Sequence, residues 1–274
     1  MTHPLPTVEE LYRGMGRMVV RFYGRTPGAC CVEASHAILG CSGLDSVFLN
    51  CGVVFGDGDD DPAEGRLGEF VARIRERGVG GYVCLSEGTQ RRLEPLAREL
   101  GLEPLPPIPL MARAGDAPAP AREEQSSAAA RPPLDPAAFT FERVRTADAL
   151  ADFLAVSEEA FDLPADLYGR VVTRGLLADP ALAVYLCRLE GAPVSGVCAV
   201  EDESLVGVSG MATLPGLQGR GIGGFLLGRL LEEYRPRPRA FYLTASEAGR
   251  SLYRRHGFEV VDAATAWVVP PPGS

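Results

Sequence analysis

The sequence reads as an α/β chain (an α+β mixed sheet) built from two similar domains in tandem, each a mostly antiparallel twisted sheet flanked by helices. Three observations predict this. Short apolar runs with strand-like alternation are interleaved with stretches whose apolar residues recur at helical spacing. Residues 116–137, rich in Pro, Ala and Ser, hold Leu134 as their one large apolar side chain, so they bury little surface and read as a linker. The two parts also end alike. Leu96…Leu100-Gly101-Leu102-Glu103 and Leu252…His256-Gly257-Phe258-Glu259 each read as a helix, a glycine stop, an apolar residue and a strand. A length of 274 residues accommodates two ordinary domains, placed at 1–115 and 138–274.

In the first part, Thr7–Tyr23 has helical spacing. Strands are expected at Cys31–Leu39 and Val47–Phe55, a helix at Ala63–Arg77, a strand at Gly81–Leu85, a helix at Thr89–Leu100 and a strand at Leu105–Met111. The second part opens with a short strand, Phe139–Val144, and a helix, Ala147–Phe161. A second helix is expected over Ala165–Leu177. Strands Ala183–Arg188, Val194–Val200 and Leu205–Thr213 follow, separated by the turn signals Gly191-Ala192-Pro193 and Glu201–Ser204, which predicts an antiparallel meander. After a glycine-rich loop and its helix come strand Ala240–Thr244, helix Ala248–His256 and strand Glu259–Val269.

Composition narrows the function. The net charge of −9 disfavours nucleic acid and anionic membranes as partners and favours cationic or amine substrates. Arginine accounts for every Lys+Arg position, because the chain has no lysine. This removes P-loop nucleotide hydrolysis and Schiff-base chemistry. Cys30, Cys31, Cys41, Cys51, Cys84, Cys187 and Cys198 show no metal-ligand spacing and sit mostly in apolar runs, so they read as buried free thiols of a reducing compartment. The acidic run Gly56–Asp61 lacks the twelfth-position glutamate of a calcium loop and reads as solvated. No metal site is expected. No apolar run approaches a membrane span or a signal-peptide core, and the expected location is the cytoplasm.

The most informative stretch is Gln218-Gly219-Arg220-Gly221-Ile222-Gly223-Gly224, between the strand ending at Met211-Ala212-Thr213 and a helical pattern from Phe225 to Tyr234. Backbone N–H groups at a helix N-terminus, uncrowded by side chains, form an anion cradle. The loop therefore points to a phosphate-bearing ligand. Gly219, Gly221 and Gly224 also satisfy G-x-G-x-x-G, but a dinucleotide fold needs this loop after its first strand with several βα units behind it. Here a meander precedes the loop and two strands follow.

Together with Leu252-Tyr253 and Gly257-Phe258, the pattern resembles the acetyl-CoA signature of the GNAT superfamily of N-acyltransferases. Gln218, Gly221 and Gly223 fill Q/R-x-x-G-x-G/A, and the later residues fill L-Y-x-x-x-G-F. The resemblance spans Phe139–Val269. It implies that Met211, Ala212 and Thr213 end a bulged strand that pairs with the pantetheine arm. It implies that Gly219, Arg220, Gly221, Ile222, Gly223 and Gly224 receive the pyrophosphate, and that Ser246 stands where many members have a cofactor-contacting asparagine. Tyr253 would stand near the sulfur as the acid for the departing thiolate. The implied reaction is transfer of an acetyl or short acyl group from acetyl-CoA to a small-molecule amine by direct attack in a ternary complex, in a protein that can act as a homodimer. The alternatives are a non-catalytic acyl-CoA-binding module and an NAD(P)-dependent oxidoreductase. The sequence names no general base: Glu158, Glu159, Asp162 and Asp166 lie on the first helices, and the fourth strand carries no carboxylate. In the first part Ala97 takes the place of Tyr253 and no glycine loop precedes Ala63, which marks that half as a degenerate copy.

Overall fold

A computed structural model describes residues 5–56, 63–117, 134–234, 240–271 and 273. They form six α-helices and twelve strands. The acidic run at 57–61 and most of the linker, 118–133, lie outside the described residues.

The first half begins with α1 (Val8–Tyr23). It is closed at its N-terminus by a reciprocal capping box in which Glu10 N–H donates to Thr7 Oγ1 and Thr7 N–H donates to Glu10. Strands β1 (Cys30–Ala34) and β2 (Ala37–Cys41) form a hairpin. The single strand expected over Cys31–Leu39 is thus two, folded back at Ser35-His36, a turn that carries neither glycine nor asparagine to announce it. A 3₁₀ turn at Val47–Leu49 precedes β3 (Asn50–Val54), and α2 (Ala63–Glu76), β4 (Gly81–Leu85) and α3 (Glu87–Glu99) follow. The strand expected at Leu105–Met111 is β5 (Glu103–Pro104) and β6 (Ile108–Arg113). They are interrupted at Pro106-Pro107, which cannot donate to a ladder.

In the second half β7 (Phe139–Arg143), α4 (Ala147–Phe161), β8 (Leu182–Leu189), β9 (Ala192–Asp202) and β10 (Leu205–Thr213) form the expected meander with its leading helix. Then come α5 (Ile222–Glu233), β11 (Ala240–Thr244), α6 (Glu247–Arg255) and β12 (Glu259–Val269). The helix expected over Ala165–Leu177 is absent. Only two 3₁₀ turns, Tyr168–Arg170 and Leu176–Ala178, stand there. Gly169 and Gly175 bracket the β-branched run Val171-Val172-Thr173, a sequence of weak helix formers.

The compact units interleave along the chain. One comprises Ala112–Leu243 and Glu247–Glu259; the other comprises Pro6–Met111, Thr244–Ser246 and Val260–Ser274. The last strand therefore belongs to the first unit's sheet, with the order β1-β2-β3-β4-β12-β6. β12 pairs antiparallel with β4, from Thr265↔Leu85 to Val269↔Gly81, and with β5. Trp267, fully buried, is at the centre of that unit's core with Phe70, Val83, Leu93 and Ala97, and its indole N–H donates to Gln90. The other unit has the order β11-β10-β9-β8-β7. There α4 is seated on β9 by Phe153, whose ring lies 2.6 Å from where a Cβ on Gly196 would be. Burying such a ring is worth roughly 1.5–3 kcal/mol.

Candidate active site

The site is assembled around the end of β10. This strand pairs parallel with β11 only over Leu205↔Ala240, Val206↔Phe241 and Gly207↔Tyr242. On its other edge its register against β9 shifts between Ser209 and Ala212. Gly210 has φ +59° at this bulge. The left-handed conformation and the lack of room both call for glycine: a Cβ there would lie 2.9 Å from the Tyr168 hydroxyl. From Val208 onward β10 thus runs unpaired with β11. The far end of the bulge is anchored by buried Ser195, whose hydroxyl donates to Ala212 O and lies 2.9 Å from Thr213 Oγ1.

A 3₁₀ turn, Pro215–Leu217, leads from β10 into the glycine loop. The Gln218 amide donates to Thr213 O at 3.1 Å, folding the loop back on the strand. Gly221, at φ +89°, is the N-cap of α5 and supplies no side-chain cap. The first N–H groups of the helix, from Ile222 on, have no acceptor within it. Nothing within 4 Å would meet a Cβ at Gly219 or Gly221, so the cradle is open. At Gly223, by contrast, a Cβ would lie 3.3 Å from Leu252 and 3.6 Å from Met211 Cε, which shows how closely α5, α6 and β10 approach. Arg220 lies within the loop, and its Nε is buried without a hydrogen-bond partner among the described residues.

Tyr253 lies on α6, buried, with its ring edge-on to Phe258. Its hydroxyl donates to Met211 Sδ at 3.6 Å. Burial pushes its pKa up to about 12, so the phenol keeps its proton at neutral pH. Met211, Tyr253, Gly223, Thr213 and Gln218 are therefore brought together, with Ala212 buried in the strand beneath them. Ser246 stands exposed in the turn before α6.

Tyr168 and Ser195, which sequence reasoning did not single out, and Cys198 and His256, which it did name, complete the surroundings. Tyr168, within the region expected to be helical, faces Gly210 and is hydrogen-bonded to Cys198. Its backbone N–H is held by the Glu158 carboxylate at 3.2 Å. The Cys198 thiol is pushed up to about 12 by burial, which suits an inert thiol rather than a nucleophile. His256 places Nδ1 2.9 Å from Leu252 O and Nε2 3.2 Å from Gly224 O. For Tyr168 and Ser195 no spacing rule exists: Tyr168 reaches Gly210, 42 residues on, from a 3₁₀ turn, and Ser195 reaches Ala212, 17 residues on, through the register of β9 against β10.

Residues 180–260 match the family model described as acetyltransferase (GNAT) domain. Over that stretch the chain is similar to a GNAT acetyltransferase domain. Solved structures of the same fold cover nearly the whole chain. A GCN5-related N-acetyltransferase from Kribbella flavida is 19% identical with a TM-score of 0.68, over 98% of this chain and 97% of that one. A GCN5-related N-acetyltransferase from Sphaerobacter thermophilus is 19% identical, TM-score 0.58, over 86% and 81%. A tandem GNAT protein from the clavulanic acid biosynthesis pathway is 13% identical, TM-score 0.58, over 96% and 88%. No curated protein matches the chain significantly. No helix among the described residues is long and apolar enough to cross a membrane.

Proposed function

We propose that the chain is an N-acetyltransferase that moves an acetyl group from acetyl-CoA to a small-molecule amine by direct attack, at the single site formed by β10, α5 and α6. The observation that carries this reading is the convergence of three features. β10 is bulged and parts from β11, an open N-terminal cradle lies beside it, and the protonated Tyr253 hydroxyl reaches Met211.

The residues divide the work. The N–H groups from Gly221 to Gly224, with Arg220, hold the pyrophosphate. The unpaired edge of β10 near Met211 receives the pantetheine arm and offers a backbone N–H to the carbonyl oxygen as it becomes an oxyanion. The amine nitrogen bonds to the thioester carbon, the C–S bond breaks, and the electron pair leaves on sulfur. Tyr253 stabilises that thiolate. With its pKa pushed up to about 12, it serves as a hydrogen-bond donor that keeps its proton close to the sulfur, since full transfer to a thiolate of ordinary basicity runs uphill. Glu158 is occupied by the Tyr168 N–H, and Glu142 and Asp152 by Arg188. The amine's proton goes to water. Buried Cys198 leaves no thiolate for an acyl-enzyme. The first half acts as a degenerate copy without this chemistry, and the location proposed is the cytoplasm.

The test is a screen of primary amines with acetyl-CoA, reading free thiol and acetylated product. Amine-dependent thiol release is expected. Tight CoA binding with no turnover across amino acids, polyamines, aminoglycosides and peptide N-termini would favour a binding module instead.

A further inference from the structure

We propose that His256 is a positioning residue for the acyl-donor site, fastening the first turn of α5 to the last turn of α6. It thereby fixes the anion cradle relative to Tyr253. The inference rests on the reading of the glycine loop as the CoA cradle.

A histidine at a helix end ordinarily needs one bond, to a terminal carbonyl of its own helix. His256 has that one, Nδ1 to Leu252 O at 2.9 Å, but its Nε2 also reaches Gly224 O on α5 at 3.2 Å. The second contact has no capping purpose on α6. It ties down the turn whose N–H groups face the ligand, while Leu252 is the chain neighbour of Tyr253. The imidazole lies against the α5 backbone: a Cβ on Gly224 would lie 3.6 Å from its Cε1, and one on Gly228 3.9 Å from Nε2, both ordinary contact distances. The ring thus lies over two glycines one turn apart, close to the α5 backbone. Both partners are carbonyl oxygens, which only accept. A neutral imidazole has one N–H and satisfies one of them; the imidazolium has two and satisfies both. The charged ring is therefore the form that closes this bridge, and it places a cation at the first turn of the helix that receives a phosphate.

The experiment uses the full chain, with CoA itself as the probe in calorimetric titration. His256→Ala should weaken CoA by about tenfold, the loss expected for a charge-assisted hydrogen bond. His256→Gln should recover part of this, because its amide can donate to one carbonyl. Nitrogen-15 spectra of the CoA complex should show both ring nitrogens of His256 protonated and hydrogen-bonded; with three histidines in the chain, the His256→Gln spectrum assigns the signal. Wild-type affinity in folded Ala and Gln variants, or a single protonated ring nitrogen in the complex, would overturn the proposal. Failure of the wild type to bind CoA would instead remove the reading of the cradle, whereas tight CoA binding indifferent to His256 removes this inference alone.

Discussion

Two strand pairs hold corresponding places in the two units and end differently. β3 and β4 run parallel and stay paired through Val54↔Leu85, the last residue of each. β10 and β11 run parallel and part after Gly207↔Tyr242, with β10 continuing to Thr213 past a bulge. The helices that follow close in the same way. Leu102 N–H donates to Ala97 O at 3.0 Å and Phe258 N–H to Tyr253 O at 3.1 Å, with Gly101 and Gly257 in left-handed conformations. The identical bond places Ala97, fully buried, where the other unit has Tyr253. One framework thus supports either a continuous sheet over an apolar core or a parted sheet with backbone groups to spare. The difference lies in where pairing stops and in one side chain on the closing helix.

The contrast can be broken most completely at the cradle. Gly221→Asp adds a side chain at φ +89° and a carboxylate where the anion is expected, so CoA affinity should fall by at least roughly a hundredfold while the fold persists. Titration calorimetry and circular dichroism decide it, and undiminished affinity would reduce the loop to a turn.

Tyr253→Phe should lower kcat by roughly ten- to a thousandfold with little change in CoA affinity. Burial raises this phenol from 10 to about 12, so its contribution to stability is complete below pH 10 and fades as pH rises toward about 12. The loss of rate should accordingly be the same factor at every pH between about 6 and 9; a loss that varies across that range would mean a different group is being silenced.

The smallest effect on the site is expected from the other unit. Trp267→Ala empties the centre of the first unit's core and should cost about 3–5 kcal/mol, read by urea unfolding. CoA affinity should stay within about twofold. A large loss of affinity would show that the closed unit serves the open one.

Much of this was legible in the sequence because it is local. The meander was marked by alternation and turn residues, the cradle by glycines before a helical pattern, and the closing helix by Leu252-Tyr253 and Gly257-Phe258. What escaped depended on distant pairing. The assignment of β12 to the first unit follows from its ladder with β4, which nothing in Glu259–Val269 announces. Of the neighbours of the bulge, Ser195 is set by the register of β9 against β10, and Tyr168 is brought in from an irregular segment of 3₁₀ turns. The missing second helix illustrates weak propensity between glycines, which an apolar pattern alone overstates.

The central claim is one acyl-donor site per chain, at the parted strands. Titration of the intact protein with CoA tests it most directly. One CoA per chain is predicted, with binding abolished by Gly221→Asp. Two CoA per chain, or one that survives that substitution, would contradict it.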